Sequence, residues 1–65
     1  MSFSEALELV KDGKEVRRKS WSEVEYLWME DGKLMRRFDY DLLEFEIIRM
    51  DTEDILAEDW ELYKQ

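Results

Sequence analysis

The stretch VEYLWMEDGKLMRRF, residues 24–38, carries the strongest structural signal in the chain. Asp31-Gly32 lies between two apolar runs, and an Asp-Gly pair supplies the positive φ angles that a two-residue hairpin turn needs. Before it, Val24, Tyr26 and Trp28 alternate with Glu25, Leu27 and Met29; after it, Leu34 and Phe38 share one parity. Alternation on both sides of such a turn predicts an antiparallel strand pair.

Working outward towards the N-terminus, KEVRRKSW has a β-branched centre and no helical stripe, which predicts a first strand. Upstream of it, Phe3, Ala6, Leu7 and Val10 fall at i, i+3, i+4 and i+7, one face of a helix over about residues 3–12. Ser2 or Ser4 caps its start, Glu5 suits the first turn, and Gly13 is a natural residue to follow its end. Towards the C-terminus, LEFEIIRM sets Leu43, Phe45 and Ile47 on one face with Glu44 and Glu46 opposite. DTEDIL offers Thr52 as the cap of a single helical turn, and WELY is a last short strand with Trp60 and Leu62 on one face.

These elements make an α+β fold: one N-terminal helix packed on a four- to five-stranded antiparallel sheet, with a short helical turn before the last strand. Residues 1–65 form a single domain on this reading. A helix of this length covers only part of one sheet face. Leu27, Met29, Met35, Ile48 and Met50 have the parity opposite to the expected core, and a second apolar patch marks an interface.

Composition points the same way. A chain of 65 residues buries only about 60% of its unfolded surface, and domains this small usually need a staple. With no Cys and no His, disulfides, thiolate metal sites and the commonest zinc ligand are excluded, so no metal and no cofactor is expected. A second subunit is the natural staple. Three Trp, three Tyr and three Phe are more aromatic surface than one protomer hides, which predicts a homodimer or homotetramer. The N-terminus lacks a basic region and is broken by Glu5 and Glu8, unlike a signal peptide. No apolar run approaches the roughly 20 residues of a membrane span, so a cytoplasmic protein is expected.

Charge is unevenly placed. Residues 1–37 carry eight acids and eight bases; residues 38–65 carry ten acids and only Arg49 and Lys64, which accounts for the net charge of −8. So acidic a chain is a poor direct binder of nucleic acid, where phosphate neutralisation dominates affinity.

Catalysis finds little support. No His is available as a base for the Ser and Thr hydroxyls, and Gly-x-Ser-x-Gly is absent. The acidic stretch MDTEDILAEDW lacks the glycine of a calcium loop. It reads better as a clasp, with Asp54 stabilising a helical turn, Ile55 and Leu56 plugging the core, Asp59 reaching backbone donors or the first-strand arginines, and Trp60 opening the closing strand. Arg17, Arg18 and Lys19 run into Trp21, and guanidinium beside an aromatic ring suits an anion bearing a flat base. Arg36 and Arg37, with Trp28, extend that candidate ligand set; cross-strand pairing of the arginines with Glu is the competing reading. Residues 18 and 21 point to opposite faces of a strand, so a bulge or strand end near Ser20 is needed to bring Arg18 and Trp21 to one ligand.

The order of these motifs resembles a family of small phage-encoded proteins. The resemblance is carried by Phe3, Ala6 and Leu7; by Gly13, Lys14, Val16, Arg18 and Trp21; and by Asp54, Ile55, Leu56, Ala57, Asp59 and Trp60. It spans nearly the whole chain. The family's best-known members are the second-type Thoeris anti-defence proteins, sponges for nucleotide signals. The resemblance implies a non-enzymatic homo-oligomer that sequesters cyclic ADP-ribose-type signals or cyclic dinucleotides between subunits, in the infected host's cytoplasm. The Trp-x-Pro-Ser-like stretch of longer relatives is replaced here by IIRMDTED. The alternative is an acidic interaction module, or DNA mimic, that blocks a basic host surface.

Overall fold

Val16, Leu27 and Trp60 meet beneath Ala6 and Val10 of the N-terminal helix, and each of the five is 1% exposed or less. Around this centre a computed structural model describes residues 1–63; Lys64, one of the two bases in the acidic half, lies outside them. In chain order the elements are α1 (Phe3–Lys11), β1 (Val16–Arg18), β2 (Tyr26–Glu30), β3 (Lys33–Arg37), a 3-10 turn (Tyr40–Leu42), β4 (Glu44–Glu46), α2 (Thr52–Leu56) and β5 (Trp60–Leu62). The sheet is antiparallel throughout, in the order β4-β3-β2-β1-β5, with α1 on one face. The α+β arrangement expected from the sequence is the one observed.

Local chemistry sets the ends of α1. Ser2 is the cap, not Ser4: its Oγ accepts from the Glu5 amide at 3.2 Å, and the Glu5 carboxylate accepts from the Ser2 amide at 3.0 Å. Such a capping box satisfies two otherwise orphaned donors. At the other end Gly13 adopts φ +89°, which lets Lys14 donate to Leu9 O and Gly13 to Val10 O, closing the last turn. The β2–β3 turn has φ +50° at Asp31 and +75° at Gly32, the twist-matched hairpin geometry.

Register overturns one expectation. Val16 stands opposite Leu27, Leu27 opposite Arg36, and Met29 opposite Leu34, so these residues share the helix-side face. Leu27 is therefore core rather than part of a second patch. Met50 also packs against the core, Met29 sits at the rim on the Leu27 side, and Ile48 is 89% exposed. Of the five residues assigned to the patch, Met35 alone lies opposite Trp28 on the helix-free face. The physical reason is that every position of YLWM is apolar, so alternation cannot choose the face. The choice falls to the pairing with Val16 under α1.

A second correction concerns α2. Asp51 occupies the cap position and Thr52 begins the helix. Ile55 and Leu56 do not plug the core: they are 46% and 72% exposed, and the buried residue of this turn is Asp54. Its carboxylate and carbonyl both have inward partners, described next.

Candidate functional site

Arg18 lies at the end of β1 with its side chain 13% exposed. Its Nε donates to Asp59 Oδ1 at 2.8 Å, Nη2 to Asp59 Oδ2 at 3.4 Å, and Nη1 to Asp54 Oδ1 at 2.8 Å. Glu53 adds a longer pair at 3.7 Å. These bonds hold the Asp59 carboxyl below the usual carboxylate range and raise the Arg18 guanidinium above its ordinary value. The Trp60 indole N–H donates to Asp54 O at 2.9 Å, tying α2 to β5. DILAEDW thus folds over Arg18 as a clasp, through Asp54, Asp59 and Trp60.

The strand does end before Trp21: its amide donates to Arg18 O at 3.0 Å, and the resulting turn carries the ring against Trp60 at 5.2 Å, edge to face. Phe3 packs on the same indole at 5.3 Å. The face of Trp21 is occupied by the Arg36 guanidinium, 3.9 Å from the ring centroid, which also lies 4.4 Å from the Phe38 ring. Arg36 is paired in turn with Glu25 at 2.8 Å. Burial pushes the Glu25 carboxyl up, but hydrogen bonds from Arg36 and the Ser22 amide outweigh it and hold the group below its ordinary value. Arg17 reaches Glu61 at 3.6 Å and donates to the carbonyls of Arg18 and Trp21. Arg17, Arg18, Trp21 and Arg36 therefore already have partners within the fold. The pairing of arginines with acids weighed against ligand binding is what the structure shows at these three arginines.

Arg37 differs. Among the described residues it has no carboxylate within 4.0 Å, although Glu44 stands opposite it in register. Its Nη1 donates to the Tyr26 hydroxyl at 3.2 Å, which raises its already high pKa, and its buried Nε has no partner among the described residues. It lies on the helix-free face of the sheet. There the Tyr26 ring packs on Tyr63 at 4.4 Å and on Trp28 at 5.2 Å, with Met35 beside Trp28. Among the described residues this places a cation 5.5 Å over the Tyr26 ring, within an aromatic surface on the sheet face opposite α1, an arrangement whose chemistry suits an anion carrying a flat ring. On the same sheet, an open groove of about 400 Å³ runs along β5, lined by Met1, Arg17, Lys19, Trp60, Glu61 and Leu62.

Trp28 and Arg37 belong to the ligand set drawn from the sequence; Tyr26 and Tyr63 do not. No local signal marked Tyr63, which reaches this face because it shares the parity of Glu61, and only the register sets Glu61 opposite Arg17. Among the residues of the family-like motif, Ala6 and Val16 are buried, Phe3 and Leu7 are half-buried, and Gly13 makes the helix-ending turn. Among the described residues no group of three His, Cys, Asp or Glu converges as a metal site. No described helix is long and apolar enough to cross a membrane.

A family model described as Tad2-like, Thoeris anti-defense 2-like domain, matches residues 1–63. No curated protein matches the sequence.

Proposed function

The chain belongs to the Tad2-like family of Thoeris anti-defense 2-like domains, and from that premise we propose that it is a non-enzymatic protein that sequesters a nucleotide-derived immune signal. The signal is of the cyclic ADP-ribose or cyclic dinucleotide type. It is held intact between subunits of a homodimer or homotetramer in the infected host's cytoplasm. The observation that carries this reading is Arg37, an arginine without a carboxylate partner among the described residues, set beside Tyr26, Trp28 and Tyr63 on the uncovered sheet face. A guanidinium takes a phosphate through paired N–H donors, and stacking of a base on an aromatic ring contributes about 1–3 kcal/mol.

Two further features support the reading. The chain contains no His and no Cys, so the commonest general base and the thiolate nucleophile are missing. A sheet face also covers a ligand from one side only, whereas small-molecule sites typically enclose about 70–90% of the ligand surface. A second copy laid against the same face supplies the other wall. The Arg18–Trp21 pair favoured from the sequence serves the fold on this account, and the ligand role moves to Arg37 and Trp28.

Isothermal titration of the protein with cyclic ADP-ribose isomers and cyclic dinucleotides tests the proposal. Binding is expected for the parent, with a loss of about tenfold or more in Arg37→Ala from removing a charge-assisted contact. Tight binding that Arg37→Ala leaves unchanged overturns the assigned site; absence of binding by the whole panel overturns the function.

A further inference from the structure

The two edges of the sheet are treated differently. Along β5, Trp60 donates to Met1 O at 3.1 Å, and the Met1 amine donates to Trp60 O at 2.9 Å and to Glu58 O at 3.1 Å, so that edge is capped at Trp60 by the N-terminus. Along β4, Ile47 donates to Leu34 O at 2.7 Å and Phe38 donates to Leu43 O at 2.7 Å. Hydrogen-bonded pairs alternate along an antiparallel ladder, so Phe45 directs its backbone groups at Arg36, while the N–H and C=O of Glu44 and Glu46 point outward.

The surface beside this edge is apolar as well as acidic. Tyr40, Leu42, Leu43, Phe45 and Ile48 are all large and exposed, from 41% at Leu43 to 89% at Ile48. Leu43 and Phe45 point to the helix side, and Glu44 and Glu46 to the other. The wider segment carries Asp39, Asp41, Asp51 and Glu53 against a single base, Arg49.

We propose that the β4 edge is a docking site for an extended segment of a partner protein in which Lys or Arg alternates with apolar residues. Such a segment adds a sixth strand. Its basic side chains stand opposite Glu44 and Glu46, and its apolar ones lie beside Leu43 and Phe45. A second copy of this chain fits poorly. Antiparallel self-pairing about Phe45 sets Glu44 of each copy against Glu46 of the other, and like charges directly opposite destabilise a sheet. The same two carboxylates that discourage self-association therefore select a basic strand. The β4 edge adjoins the Arg37 platform, with Glu44 opposite Arg37, but strand addition uses its outward backbone groups and does not depend on the nucleotide reading.

The test uses a blocked synthetic peptide of alternating lysine and valine, with NMR hydrogen exchange and titration on the full chain. The peptide is expected to slow exchange at the Glu44 and Glu46 amides. A scrambled peptide of equal composition, and one N-methylated on the residues facing β4, are expected to fail. Glu44→Gln with Glu46→Gln, both at exposed positions, is expected to weaken the peptide roughly two- to thirtyfold, the range that two cross-strand charge pairs supply. The proposal is overturned if the alternating peptide leaves those amides unprotected, or if the N-methylated or scrambled peptide binds as well. It is equally overturned if the protein alone protects Glu44 and Glu46 increasingly with its own concentration, since a second copy then fills the edge.

Discussion

Trp60 is the residue whose loss the fold tolerates least. It is 1% exposed, it packs between the rings of Phe3 and Trp21, and its indole N–H satisfies Asp54 O. Truncation to Ala removes a buried aromatic side chain, at a cost of about 3–5 kcal/mol. A chain of 65 residues has a total stability of roughly 3–10 kcal/mol, so Trp60→Ala is expected to be partly or wholly unfolded at room temperature. Trp60→Phe is the graded version. It keeps a ring but leaves the Asp54 carbonyl without its donor, at about 1–3 kcal/mol. At roughly 4–8 °C per kcal/mol for a domain of this size, that variant should melt between about 4 and 24 °C below the parent. Far-UV circular dichroism melts and urea titrations on the three proteins measure this order. If Trp60→Ala melts within the ~4–8 °C that one kcal/mol represents, the indole is not a structural centre and the clasp account is wrong.

Other predictions follow from the same contacts. Arg18→Ala is expected to lower the melting temperature more than Lys19→Ala, because it leaves the buried Asp54 carboxylate without its cation; equal melts would refute the ionic clasp. Asp59, Glu25 and Glu5 all titrate below their ordinary values in the folded protein, so their contribution is present above the unfolded-state pKa and lost as pH falls through the folded one. Stability should therefore be level in these groups at neutral pH and fall below about pH 4; a melting temperature that rises on acidification contradicts it. Sedimentation equilibrium at micromolar concentration is expected to return a dimer or tetramer for the parent and a monomer for Met35→Glu, and a monomeric parent would remove the basis for pockets between subunits.

The element order was legible in the sequence because the strong local signals are short-range. Asp31-Gly32 fixed the hairpin, Ser2 to Glu5 with Gly13 bounded α1, and Leu43, Phe45 and Ile47 alternated cleanly with acids. The face of β2 was not legible, because Tyr26, Leu27, Trp28 and Met29 are all apolar and only the long-range pairing of Val16 with Leu27 decides between them. The site followed the same division. Asp59 was legible as a partner for the first-strand arginines, but Asp54 read only as stabilising its own helical turn, and nothing local announced that it too binds Arg18, 36 residues away. Arg37 looked equivalent to Arg36 in sequence. Only register separates them, placing Arg36 over Trp21 beside Glu25 and Arg37 on the opposite face beside Tyr26.

Sequestration without degradation leaves the bound signal chemically unchanged and recoverable. The protein is mixed with a cyclic ADP-ribose isomer in excess of protein, passed through native mass spectrometry to count subunits and ligand together, then heat-denatured so that released ligand can be weighed and identified. The account predicts an oligomer carrying ligand, full recovery of that ligand unchanged, and loss of the bound form in Arg37→Ala. Ligand recovered as a hydrolysed or linear product, or a protein that never carries ligand, would contradict it.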